Sequence, residues 1–172
     1  MIANTFTHNE KTIEIMHDED PFSPRDYDNL GTILYNSTQY TLGDKRVEQE
    51  EITEILKRKD VISLPVFAYI HSGITINTTG FSCPWDSGQC GIIYIEKKKI
   101  REEFGKKRIS KELTAKVTES LRNEIKEYDQ YLRGNVYGYI MKDATGKELD
   151  SCWGFYGLEY CEEEAKRVAE AA

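Results

Sequence analysis

Between Ser110 and Gly134 runs the longest helical pattern of the chain, with Leu113, Val117, Leu121, Ile125, Tyr128 and Leu132 recurring every three or four residues. Ser is a good N-cap, because its hydroxyl accepts from a first-turn N–H that has no partner inside the helix, and Gly tolerates the left-handed conformation that closes one. A helix with a single apolar stripe must lay it on something. The rest of the chain supplies strands for that purpose.

Ile13 and Ile15 alternate with polar neighbours over residues 12–16, the period of a short half-buried strand, after a polar and irregular start over residues 1–10. Residues 17–31 (HDEDPFSPRDYDNLG) combine two prolines with five acidic side chains, which rules out a regular helix and predicts an ordered acidic loop. β-Branched and aromatic content predicts strands over 32–41, 61–71 (with an internal Pro65), 74–79 and 91–96. The run FSCPWDSGQCG between the last two reads as a loop. Ile52, Ile55 and Leu56 give residues 47–59 a one-sided helical stripe, and Ile100 and Phe104 do the same for residues 97–104, which stop at Gly105. Residues 135–142 and 148–156 flank Asp143-Ala-Thr-Gly146 as a hairpin, and 158–172 reads as a closing helix with Leu158, Cys161, Ala165 and Val168 inward.

Strands punctuated by helices without strict βαβ alternation predict an α+β fold, with a mainly antiparallel or mixed sheet and helices packed on one face. At 172 residues one domain, 1–172, is the expectation. With 39% hydrophobic residues there is ample apolar area for a core. No run approaches the ~20 apolar residues that cross a bilayer, and the N-terminus lacks a signal pattern. A cytoplasmic protein with no membrane contact is expected.

The formal charge of −7 disfavours nucleic-acid binding driven by overall charge and favours a partner with a basic groove. Two stretches could form a charged interface. One is the acidic loop, with Asp18, Glu19, Asp20, Asp26 and Asp28, which lacks the ligand order of a calcium loop. The other is residues 96–111, where Lys97, Lys98, Lys99, Arg101, Lys106, Lys107, Arg108 and Lys111 face three acidic residues, a local excess suited to phosphates. The plainer reading of each is a solvated loop or helix face. Trp85, Asp86 and Trp153 sit in the glycine-containing runs CPWDSG and DSCWGFYG, a context that suits a recognition surface as well as it suits core packing.

Cys83, Cys90, Cys152 and Cys161 are too few for a disulfide scaffold and too widely spaced for a zinc knuckle, so reduced, mostly buried thiols are expected. Cys90 with His71 as its base is the one nucleophilic arrangement the chain suggests. Phosphate-loop, dinucleotide, metalloprotease and serine-hydrolase signatures are absent. No metal or cofactor is expected.

The strings DPFSPRDYDNLGTI, YTLGD, LPVFAYIHSGITINTT, FSCPWDSGQCGIIYI, EYDQYLRGNVYGY and DSCWGFYG resemble a family of short proteins carried by phages and mobile elements of Firmicutes, over nearly the whole chain. That resemblance brings no catalytic residues with it. It implies a non-enzymatic accessory protein of a bacterial host cell. The leading expectation is an acidic inhibitor of a defence nuclease, of anti-CRISPR or antirestriction type, that occupies a basic groove. The alternatives are a small cysteine-dependent enzyme and a nucleic-acid-binding accessory acting through residues 97–111. Oligomeric state is left open.

Overall fold

Strand β1 (Ile2–His8) turns back into β2 (Lys11–His17) through Asn9 and Glu10, both with positive φ (49° and 61°). That two-residue turn matches the right-handed twist of a hairpin, and it makes residues 2–8 a strand where an irregular start is expected. Asn-Glu lacks the glycine by which such turns are usually recognised. Around this hairpin the computed structural model, which describes residues 1–83 and 85–171, groups into two compact units: Met1–Ser23 with Gln130–Ala172, and Pro24–Asp129. Pro84 of the FSCPWDSGQCG run and Ala172 of the closing helix lie outside the described residues.

The first unit is a four-stranded antiparallel sheet in the order β1-β2-β8-β9, built with β8 (Val136–Lys142) and β9 (Glu148–Tyr156). The hairpin turn between β8 and β9 is held by the Asp143 carboxylate, which accepts from the Thr145 N–H, the Thr145 hydroxyl and the Lys147 N–H. Helix α4 (Leu158–Ala171) covers one face. Ile13, Ile15, Tyr137, Tyr139 and Met141 share that face by strand alternation, and they pack against Cys161, Ala165 and Ala169. Small residues on α4 let the helix approach closely. On the opposite face the Trp153 ring lies over Gly138, where any Cβ would overlap it.

The second unit is a five-stranded sheet in the order β4-β3-β7-β5-β6, composed of β3 (Thr32–Tyr35), β4 (Lys45–Arg46), β5 (Val61–Ile70), β6 (Ile74–Asn77) and β7 (Ser87–Glu96). The β3–β4 pair is parallel and the β3–β7, β5–β7 and β5–β6 pairs are antiparallel. Strand β3 stops at Tyr35, well short of the expected Thr41, and β7 begins at Ser87, so Gln89 and Cys90 belong to a strand and not to a loop. Pro65 is tolerated inside β5 because β6 pairs only with residues 67–70, leaving the proline's donor-free side open.

Leu34 and Ile92 are cross-strand partners that turn toward helix α1 (Gln49–Lys57), where they pack with Val47, Ile52 and Ile55. Their neighbours Ile33 and Ile93 form the next pair and point the other way. There Ile93 and Leu121 crowd the Cα of Gly31, leaving no room for a side chain. Leu121 belongs to α3 (Lys111–Leu132), the long helix the periodicity predicts, capped by Ser110 through its hydroxyl and the Leu113 N–H. Val117, Leu121 and Ile125 are at most 1% exposed, and burial of each contributes about 1.5–3 kcal/mol.

The α+β expectation holds. Helix α4 covers one face of the first sheet, whereas the second takes α1 on one face and α3 on the other. No described helix is long and apolar enough to cross a membrane.

Candidate functional site

Helix α2 (Lys97–Glu103) leaves β7 without a connecting loop, pinned by Ile100, which is fully buried. It ends in a Schellman closure: Gly105 takes φ 59° and the Lys106 N–H donates back to the Arg101 carbonyl. The next five residues bring the chain to Ser110 and α3. Two short-range constraints therefore fix one continuous shelf, α2 to the first turns of α3.

The basic residues on this shelf divide by what holds them. Lys97 donates to the Lys59 carbonyl, and Lys99 donates to the carbonyls of Asn29 and Leu30. These two brace the loops beneath. Lys98 lies 4.0 Å from Glu102. Arg101, Lys106, Lys107, Arg108 and Lys111 are exposed and have no ion pair among the described residues.

Two concavities open between these cations. One, of about 360 Å³, is lined by Lys98, Arg101, Glu102, Gly105, Lys106 and Lys107. The other, of about 490 Å³, is lined by residues that include Phe104, Lys106, Arg108, Glu112, Leu113 and Lys116. Lys106 borders both. The Lys116 ammonium sits 5.5 Å from the Phe104 ring centroid. Phe104 reads from sequence only as a core position of a short helix, and Lys116 lies beyond the basic run, so neither is legible there as part of a site.

The acidic loop is held from within. Arg25, with a side chain 6% exposed, donates through Nε and Nη2 to both Asp44 oxygens, through Nη1 to Glu124 Oε2 and Asn29 Oδ1, and through Nη2 to the Gly31 carbonyl. All five guanidinium donors are used. Glu124 also accepts from the Leu30 and Gly31 N–H groups, and Asp44 from that of Ile33. Asp26 and Asp28 stay exposed on the second unit, while Asp18, Glu19 and Asp20 belong to the first. Asp18 accepts from the Asp20 N–H at 3.2 Å, and Glu19 lies 3.8 Å from the N-terminal ammonium.

Trp85 is 91% exposed on the connection into β7, beside Asp86, whose carboxylate is 3.5 Å from His71 Nδ1. Trp153 belongs to the first unit. Cys90 is buried, its thiol donates to the Val66 carbonyl, and burial pushes its pKa up to about 11. A nucleophilic cysteine needs the opposite shift, so the Cys90–His71 arrangement is set aside. Burial likewise raises Cys161 to about 12. Among the described residues no group of His, Cys, Asp and Glu could hold a metal ion.

Charge is unevenly shared along the chain. The second unit carries 17 Lys and Arg against 17 Asp and Glu, and the first carries 6 against 13, so the whole −7 resides on the first. No family model, no curated protein and no solved structure matches this chain at a significant level.

Proposed function

We propose that the second unit binds nucleic acid through the α2–α3 shelf, making the protein a non-enzymatic accessory of the phage or mobile-element kind its sequence resembles. The observation that carries this reading is the run of exposed cations without ion-pair partners among the described residues, Arg101, Lys106, Lys107 and Arg108, around two adjoining concavities. Unpaired cations at such spacing release counterions from a phosphate backbone when they dock. The acidity that argues against nucleic acid does not weigh on this unit, whose net charge is zero. Titrating the protein into labelled oligonucleotides at rising salt tests the reading. Binding that is absent at low salt, or indifferent to salt, would overturn it.

A second reading, the acidic inhibitor of a defence nuclease, draws support from the first unit. Its thirteen carboxylates against six cations, with Asp18, Glu19 and Asp20 among them and Trp153 45% exposed, suit a basic groove on a protein partner. Co-purification with nucleases, compared between the wild type and a Glu19→Lys, Asp20→Lys double variant, tests it. Retention undiminished by the reversals would count against it.

A further inference from the structure

The two concavities of the shelf differ in chemistry. The first is bordered by four cations, Lys98, Arg101, Lys106 and Lys107, and one carboxylate, Glu102, and has no aromatic lining. The second is lined by the apolar side chains of Phe104 and Leu113 together with Lys106, Arg108, Ser110, Glu112 and Lys116. A phosphate satisfies the first and gains nothing from the ring of the second. A nucleobase satisfies the ring, because every base presents a flat π-face to an aromatic ring.

Resting on the nucleic-acid reading, we propose that the second concavity receives one unstacked base, laid against Phe104, while Lys106 and the first concavity hold the adjoining phosphate. The ligand class is then single-stranded nucleic acid. Lys106 borders both spaces, as a residue between a base and its neighbouring phosphate must. The Lys116 ammonium now resting near the Phe104 ring at 5.5 Å is a replaceable occupant. An exposed cation–π contact is weaker than base–aromatic stacking, and the displaced ammonium gains a phosphate. A duplex keeps its bases paired and stacked, so it reaches the cations but not the ring.

Fluorescence anisotropy on three probes of about 16 nucleotides tests the assignment: an oligothymidylate, a duplex, and a sugar–phosphate strand without bases. Wild-type protein is expected to bind oligothymidylate about tenfold more tightly than the baseless strand. Phe104→Leu, which keeps the apolar packing, should remove that difference and leave duplex binding unchanged. Equal affinity for the strands with and without bases, or a Phe104→Leu loss shared by the duplex, overturns the base pocket while leaving phosphate binding intact. If no probe binds, both readings fall. Because the strand comparison needs no variant, the test survives any folding defect in Phe104→Leu.

Discussion

Arg25 and Glu124 stand 99 residues apart in the chain, and Arg25 Nη1 lies 2.8 Å from Glu124 Oε2. The contact turns a loop rich in proline and acid into a fixed surface. Removing Arg25 leaves two carboxylates, Asp44 and Glu124, without their shared counter-charge, whereas Arg25 without Glu124 still holds Asp44. Arg25→Ala should lower the unfolding free energy by about 3–5 kcal/mol, and Glu124→Ala by less. Arg25→Lys should recover little, since an ammonium cannot reproduce a planar fork shared among two carboxylates, an amide and a carbonyl. Urea midpoints measure all three, and a loss below about 1 kcal/mol for Arg25→Ala would mean the network is dispensable.

The shelf cations should separate into two kinds. Arg101→Ala, Lys106→Ala and Lys107→Ala should each leave folding intact and reduce the slope of log affinity against log salt by about 0.7 on a single strand. Lys99→Ala should instead cost about 1 kcal/mol of stability, because two loop carbonyls lose a charged donor. Parallel binding and unfolding measurements on the four variants distinguish these outcomes.

Alkaline pH should destabilise the fold through its buried thiols. The Cys90 thiol has a folded pKa of about 11 against an ordinary value of 9.0, so the folded form holds its proton where the unfolded form has released it. Stability from this group is fully present below about pH 9 and is lost as pH rises through about 11, a difference on the order of 3 kcal/mol. Cys90→Ala should flatten the dependence in that window. In alkylation at neutral pH, exposed Cys152 should react first while Cys90 and Cys161 lag until the protein unfolds.

Gly138→Ala should cost about 1–3 kcal/mol, since its methyl would enter the space of the Trp153 ring. The substitution should also shift the Trp153 fluorescence. Combined with Trp153→Ala the two losses should fall short of their sum, because each removes the same contact; a thermal unfolding series reads the coupling.

Much of the fold is legible from period and punctuation. Ser110, Gly134 and the six apolar positions between them mark α3, and Gly105 marks the end of α2, because caps and stripes are local signals. Long-range pairing leaves no such mark. Nothing near Arg25 announces Asp44 or Glu124, and the Asn9–Glu10 turn lacks the residues that advertise one. SGQCG reads as a loop because of its glycines and serine, whereas Gly91 is there to let β7 approach β3 closely. The basic run is readable, but which cations are free depends on carbonyls from distant loops, and Phe104 becomes part of a site only once α3 presents Lys116.

The first unit is written in two instalments, its opening hairpin at residues 2–17 and its remaining strands after residue 135, with the second unit between them. A nascent chain leaving the ribosome therefore exposes β2 long before β8, its neighbour in the register Ile13↔Met141, has been made. Residues 24–129 can close their own sheet while that hairpin waits with Ile13 and Ile15 uncovered. Translation speed across this interval, and whatever shields two isoleucines in the meantime, thus bear on how much of the protein matures.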